Sequence, residues 1–457
     1  MNPMSFYATD DRKEAVLLTL ISKALWQDEH QLIEEKCLLK PHDFHGEAGE
    51  MALIRDKNQC LTHAFIGTGE ASSAQALAHA SLLLPTARYR LTDKTLSAST
   101  LAFWALAQYR YDAFKPCGLT PKILLLDNAL LPEVELETTT IFLVRDLINA
   151  PANLATPAFL SETMQTLAKN HQATFKQWVG EDLLTHHFPA IHAVGRASIH
   201  PPRFLSLTWG NPSHPSLVLI GKGVCFDSGG LNIKPAQGMR LMKKDMGGAA
   251  HALGLAHLIM AKQLPVSLTL LIPAVENAIG GDAFRPSDIL VMRNKLSVEI
   301  DNTDAEGRLI LADALAYACE QTPDLIIDFA TLTGAARIAL GTDIACMFSN
   351  EQALADDVLQ AAKQTDEAIW QLPLHLPYES LLSSNVADIA NSSNTSFAGA
   401  ITAALFLNKF VLPSTPWLHF DVMAWNLVAK PGKPEGGEAL AVRAVFHYLK
   451  KRFGHCE

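Results

Sequence analysis

Beyond residue 200 the chain alternates two apolar patterns, and that alternation limits its fold more than any other feature. Short apolar runs at residues 204–209, 217–220, 266–272 and 325–329 have the length of buried strands. Ala/Leu-rich stretches at 248–262 and 308–320 have the length and spacing of helices. Strands without polar alternation are buried on both faces, which places helices on both sides of them. The expected class is therefore α/β.

Three segments of this half concentrate glycine with charge. The first reads GKGVCFDSGG over residues 221–230, runs on to Lys234, and follows the strand-like run 217–220. The second, MKKDMGG at 242–248, and the third, NTDAEGRL at 302–309, each lead into a helix. Ligands of open α/β sheets bind beyond strand ends, and glycine lets backbone approach an ion closely. If the three loops converge, Asp227, Asp245, Asp304 and Glu306 repel one another unless raised pKa values or cations neutralise them. Four carboxylates suit a pair of divalent ions better than one, with a shared carboxylate bridging ions about 3.5–4 Å apart. The 17 histidines do not cluster at these loops, so a His-rich zinc site is not expected. Local readings stay open on spacing alone. Asp245 could cap a helix, and Asp304 and Glu306 could favour the positive end of the next one. Lys222 could be a solvated loop residue or part of a degenerate phosphate loop, although no Ser or Thr follows it.

At 457 residues, two domains are expected, and 49% hydrophobic against 18% charged residues allows a sizeable core. Residues 145–157, RDLINAPANLATP, form a Pro- and Asn-rich seam whose Thr-Pro can start a helix. This divides the chain into 1–144 and 145–457. In the first part, helices are expected at 14–26, 74–83 and 100–109, and strands at 122–126 and 140–144. A formal net charge of -10 disfavours general affinity for nucleic acid or anionic membrane. No apolar run reaches transmembrane length. Asp10, Asp11 and Glu14 stand where a leader peptide would be apolar or basic. The 7 cysteines (Cys37, Cys60, Cys117, Cys225, Cys319, Cys346 and Cys456) are scattered without paired spacing. That argues for a reducing cytoplasm rather than a disulfide framework, with Cys225 a small buried hydrophobe.

NTDAEGRL stands unbroken as the signature of the leucyl aminopeptidase family, which the sequence resembles closely. GKGVCFDSGGLNIKP, MKKDMGGAA, ENAIGGDAFRPSD and DFATLTGAARIALG are similar to that family's blocks, in order, across most of residues 145–449. The N-terminal part is only weakly similar. The resemblance implies a smaller N-terminal α/β domain and a larger catalytic α/β domain with a central mixed sheet flanked by helices. It implies a metal-dependent aminopeptidase that hydrolyses peptides with a free N-terminus by a water activated by two metal ions, zinc or manganese. Carried over by position, Asp227 and Glu306 bridge the ions, Lys222 and Asp245 complete the tighter site, and Asp304 belongs to the more exchangeable one. A lysine ligand must be neutral, so two nearby dications are expected to depress Lys222 well below the free value of ~10.4. Lys234 and Arg308 match the catalytic positions, with Lys234 stabilising the oxyanion and Arg308 holding bicarbonate. Met242, Thr331, Leu332 and Gly334 match the pocket for the N-terminal side chain. A segment that usually reads HLDIAG is here HFDVMAWN, where Met423 replaces a small residue and narrows the pocket. A homohexamer is also implied. The alternative is a catalytically altered relative acting as a metal-bound scaffold or DNA-binding protein. It would need a lost ligand or a basic face, and neither is visible.

Overall fold

The apolar runs of the second half become neighbours in one sheet. In this computed structural model, which describes residues 2–9, 14–28, 30–116 and 118–454, Ser216–Gly221 lies between Leu325–Ala330 and Ser267–Asn277 and runs parallel to both. Leu325–Ala330 pairs in parallel with Trp417–Asp421. The flanks reverse direction. Arg203–Trp209 runs against Ser267–Asn277, Thr174–Val179 against Arg203–Trp209, and Ala345–Ser349 against Trp417–Asp421. With Ile369–Gln371 at one edge and Gly223–Asp227 beside the end of Ser267–Asn277, the sheet is mixed and nine-stranded. Asp10, Asp11, Cys117 and Cys456 fall outside the described residues.

Both faces of the central strands are covered. Val218, Ile220, Ile326 and Ala330 share a face, because in-register neighbours on parallel strands point the same way. They pack into the core formed with Leu309, Ile310 and Leu315 of helix Glu306–Cys319. Phe329 points to the opposite face and stacks at 5.7 Å on His251 of helix Gly247–Ala261. That helix begins with two glycines for a steric reason. A Cβ at Gly248 would lie 2.1 Å from the Phe329 carbonyl, so only glycine lets the helix start this close to the sheet.

The chain forms two compact units, Met1–Phe142 with Leu427–Glu435, and Leu143–Asn426 with Gly436–Glu457. The first contains a six-stranded sheet ordered Tyr7–Thr9, Ile123–Leu126, Arg88–Leu91, Val16–Ser22, Leu61–Gly69, Met51–Arg55, parallel except for the last strand. Its helices Ser73–Leu83 and Ala98–Gln108 start at side-chain caps from Ser72 and Ser97.

Two expected elements of the first part are corrected. Residues 14–26 were expected as a helix, but Val16–Ser22 is a strand and only the short Lys23–Gln27 is helical. Val16–Ser22 has sheet neighbours on both sides, so its polar alternation is weak and its apolar spacing imitates a helix. Residues 140–144 were expected as a strand and instead lie inside the 19-residue helix Leu131–Asn149. The β-branched Thr and Ile there are overridden by packing, as Ile141 and Phe142 are buried. The Thr-Pro start is as expected, with Thr156 capping helix Pro157–Asn170.

Among the described residues, no helix is long and apolar enough to cross a membrane.

Candidate metal centre

The parallel strands deliver their chemistry at one end. Lys222 follows Ser216–Gly221, Asp227 closes Gly223–Asp227, and Asn277 closes Ser267–Asn277. Asp245 sits in the 3-10 turn Met242–Met246 that feeds helix Gly247–Ala261, and Glu306 opens helix Glu306–Cys319. Asp227, Asp245 and Glu306 each bring a carboxylate oxygen within 4.8 Å of the others, and all three are buried. Asp245 is not a helix cap, while Glu306 does stand in the first turn of its helix, where the bland reading put it. The caps of these two helices are Met246 and Ala305, and neither makes a side-chain cap bond.

Two lysines neutralise part of the cluster. Lys222 Nζ lies 2.7 Å from Asp245 Oδ2 and 3.0 Å from Glu306 Oε1, and donates to the Thr331 carbonyl at 3.2 Å. Lys234 Nζ lies 2.7 Å from Asp227 Oδ2 and 2.5 Å from Asp304 Oδ1. The other oxygens are held in place. Asp227 Oδ1 accepts from Gly229 N and Asn277 Nδ2, both at 2.9 Å, and Asp245 Oδ1 accepts from Thr331 Oγ1 at 2.8 Å. Glu306 Oε2 is buried and has no hydrogen-bond partner. The loop around Asp227 needs glycine, since Gly229 has φ +88° and a Cβ there would meet Asn232 O at 2.4 Å and Asp304 Oδ1 at 2.9 Å.

Four acids against two lysines leave excess negative charge in a dry site. Burial, and then Asp227, push Glu306 up to about 8. Burial also raises Asp227. Asp245 is lowered, because Lys222 and Lys244 outweigh its burial. Burial alone would lower Lys222, but Asp245, Glu306 and Asp227 together hold it raised, as an ammonium. The depressed Lys222 expected from the resemblance therefore requires the ions; these carboxylates alone do the reverse. Burial and Arg337 push Lys244, whose buried Nζ has no hydrogen-bond partner, down to about 7. A divalent cation fits this chemistry: hard oxygen donors, an unpartnered buried carboxylate oxygen, and a repulsion among acids that raises Glu306.

Arg308 is buried and donates from Nη1 to the Asn391 carbonyl at 2.8 Å, while its Nε has no partner. Burial lowers it to about 10, so it is cationic at neutral pH. The residues expected to line the pocket lie on adjacent strand ends. Thr331, Leu332 and Gly334 follow Leu325–Ala330, and Met423 follows Trp417–Asp421, with Ala330 opposite Asp421 in register. Met423 is buried, Met242 is half-buried in the turn that carries Asp245, and Gly334 is exposed at the start of helix Gly334–Leu340. The Thr331 hydroxyl is committed to Asp245.

Sequence reasoning missed the residues that hold these loops. Asn277 donates to both Asp227 Oδ1 and the Thr303 carbonyl. Thr303, fully buried, donates to the Gly229 carbonyl at 2.6 Å, which joins the first loop to the third. Asp421 accepts from Leu332 N, Thr333 N and Thr333 Oγ1 and so fixes the turn after Leu325–Ala330. Asn277 lay within a recognised block, but Asn391 lay in no motif at all.

A family model described as the cytosol aminopeptidase family, catalytic domain, matches residues 142–446. The chain belongs to the cytosol aminopeptidase family. A second model, the M17 aminopeptidase N-terminal domain, matches residues 20–125, a stretch where the sequence showed only weak similarity. A probable cytosol aminopeptidase of Syntrophotalea carbinolica is 40% identical over 365 residues, covering 76% of this chain and 73% of that protein. One from Geobacter sp. is 33% identical over 93% of this chain and 96% of its own length. The crystal structure of the Coxiella burnetii cytosol aminopeptidase superposes with a TM-score of 0.92 at 45% identity, covering 98% of this chain and 99% of that one. The bottromycin maturation enzyme BotP in complex with Mn gives 0.86 at 30% identity, covering 96% of this chain and 100% of that one. As a family member with this two-domain α/β architecture, the chain is a metal-dependent aminopeptidase, a hydrolase of peptides. The scaffold or DNA-binding alternative finds no support in these relatives.

Proposed function

We propose that hydrolysis of the N-terminal residue uses two divalent ions, zinc or manganese, held by Lys222, Asp227, Asp245, Asp304 and Glu306. The observation that carries this reading is the buried cluster of Asp227, Asp245 and Glu306, with one Glu306 oxygen unpartnered. Asp227 and Glu306 would be shared by the two ions, Lys222 and Asp245 would complete one site, and Asp304 would serve the other. When bound, the ions supply Lewis acidity, which polarises the scissile carbonyl and acidifies the attacking water.

The chain's own groups do the rest. Lys222 would have to be neutral to serve as a ligand. Lys234, tethered between Asp227 and Asp304, offers its ammonium to the developing oxyanion. Arg308, whose guanidinium Nε has no partner, would hold bicarbonate, which would supply a proton relay towards the leaving amine. Met242, Thr331, Leu332, Gly334 and Met423 border the N-terminal side chain, and Met423 favours residues smaller than leucine. A homohexamer and a cytoplasmic location belong to the same proposal and rest on the family resemblance.

The test is protein stripped with a chelator and assayed on a panel of aminoacyl-amides and dipeptides, with zinc, manganese or magnesium returned. Activity lost and restored, with two ions per chain by mass spectrometry, is the expected outcome. Full activity with one ion per chain, or without any, overturns the two-ion reading. Leu-first substrates that outperform Ala-first ones overturn the role given to Met423.

A further inference from the structure

Asn391 lies beyond the short strand Ile389–Ala390, which pairs in parallel with Ser297–Glu299, the strand that leads into the NTDAEGRL loop. Its side chain is fully buried, and every group on it is used by that loop's backbone. Oδ1 accepts from Asp301 N at 2.8 Å and Asn302 N at 3.1 Å. Nδ2 donates to the Asn302 carbonyl at 2.7 Å and to the Ala305 carbonyl at 3.4 Å. Asn391 N donates to the Glu299 carbonyl at 2.9 Å. An amide that both accepts and donates is the side chain able to read a loop in this way; a carboxylate or an alkyl group cannot.

The same residue's carbonyl accepts Arg308 Nη1 at 2.8 Å. Asn391 is thus a rigid link. It sets where the loop bearing Asp304 and Glu306 runs, and it fixes one end of the guanidinium two residues further on. A guanidinium pinned at Nη1 keeps a defined edge at Nε, which is buried and without a partner. Planar oxyanions are recognised by such an edge, and a guanidinium free to rotate would present it only part of the time.

We infer that Asn391 is a positioning residue for catalysis, which aims Arg308 at its anion by clamping the signature loop. The inference rests on the reading of Arg308 given above. The test is a double-mutant cycle on metal-loaded protein: wild type, Asn391→Ala, Arg308→Ala and the double variant, with kcat and KM measured for each. Asn391→Ala is expected to lower kcat about 10-fold, ~1.4 kcal/mol in the barrier, with KM little changed. In the Arg308→Ala background the same change is expected to cost less than about 2-fold, because no guanidinium remains to be aimed. Asn391→Asp keeps the size and the acceptor oxygen, loses both donations, and carries the same comparison if Asn391→Ala does not fold. Equal factors in both backgrounds mean that Asn391 does not act through Arg308, whether it supports the fold or only the loop of Asp304 and Glu306, and overturn the inference alone. An Arg308→Ala variant with wild-type kcat overturns the catalytic reading of Arg308 and this inference with it.

Discussion

Gly307 stands between Glu306 and Arg308 in the signature, and its missing side chain is room for Lys222. A Cβ built there would lie 2.3 Å from Lys222 Cε and 2.6 Å from Lys222 Nζ. Carbon atoms settle about 3.5–4.0 Å apart, so in Gly307→Ala the lysine end must retreat by more than about 1 Å. That withdraws Nζ from its contacts at 2.7 Å with Asp245 and 3.0 Å with Glu306. The fold itself suffers less. Overpacking costs about 1–3 kcal/mol, and alanine recovers up to ~1 kcal/mol of helix propensity. If Lys222 is a metal ligand as proposed, losing that contact is worth about 1.5–3 kcal/mol, so metal affinity is expected to fall about 10- to 100-fold. Calorimetric titration of stripped protein with manganese or zinc measures this, beside a thermal melt of the metal-free variant. A Gly307→Ala protein with wild-type metal affinity would refute the argument, since Lys222 would then have no required position.

Because Lys222 is held as an ammonium and Glu306 titrates at about 8, metal uptake at pH 7 should expel protons, and affinity should climb with pH. Titrations in buffers of different ionisation enthalpy report this; a heat independent of buffer counts against it. His251 is buried between the Gly247 carbonyl, 2.6 Å from Nδ1, and Leu440 N–H, 2.9 Å from Nε2, and burial depresses it to about 4. Between pH ~6.5 and ~4 the unfolded chain takes up that proton and the folded one does not, so stability falls as pH falls, by about 3 kcal/mol for the full shift. Urea unfolding of metal-free protein from pH 7 to 4.5 should show this slope, and His251→Gln should flatten it; an unchanged slope in the variant excludes His251 as its source. Arg145 and Glu438 form a buried ion pair at 3.0 Å, so Arg145→Met, which leaves the carboxylate without its counter-charge, should cost about 3–5 kcal/mol in chemical denaturation. A loss below ~1 kcal/mol, the scale of an exposed pair, would contradict that.

The parts legible in the sequence were those whose cause is local. Residues 217–220 and 325–329 read as strands because strands buried on both faces must be continuously apolar. Glycine beside acid marked the loops at 227, 245 and 304–306, and the structure gathers Asp227, Asp245 and Glu306 within 4.8 Å of one another. Val16–Ser22 and residues 140–144 were misread because their apolar content does not distinguish a doubly covered strand from a buried helix, and only sheet neighbours or packing decide. Asn391, in no motif, and the role of Asp421, inside the HFDVMAWN segment, were invisible for another reason. They act on backbone atoms 86 to 90 and 88 to 89 residues away, and no local pattern encodes a contact that the fold alone creates.

The first compact unit is not continuous in sequence, since Leu427–Glu435 belongs to it although it is made 285 residues after Phe142. Within that unit Gly432 sits against Phe103 so closely that a Cβ would lie 2.6 Å from its ring. A ribosome adding about 5–20 residues per second takes roughly 15–60 s to span that interval. For that time the nascent first unit waits without its last segment, with the surface around Phe103 open to chaperones. A nonsense mutation before Leu427 would thus truncate both units at once, and limited proteolysis of stalled nascent chains should find the first unit incompletely protected.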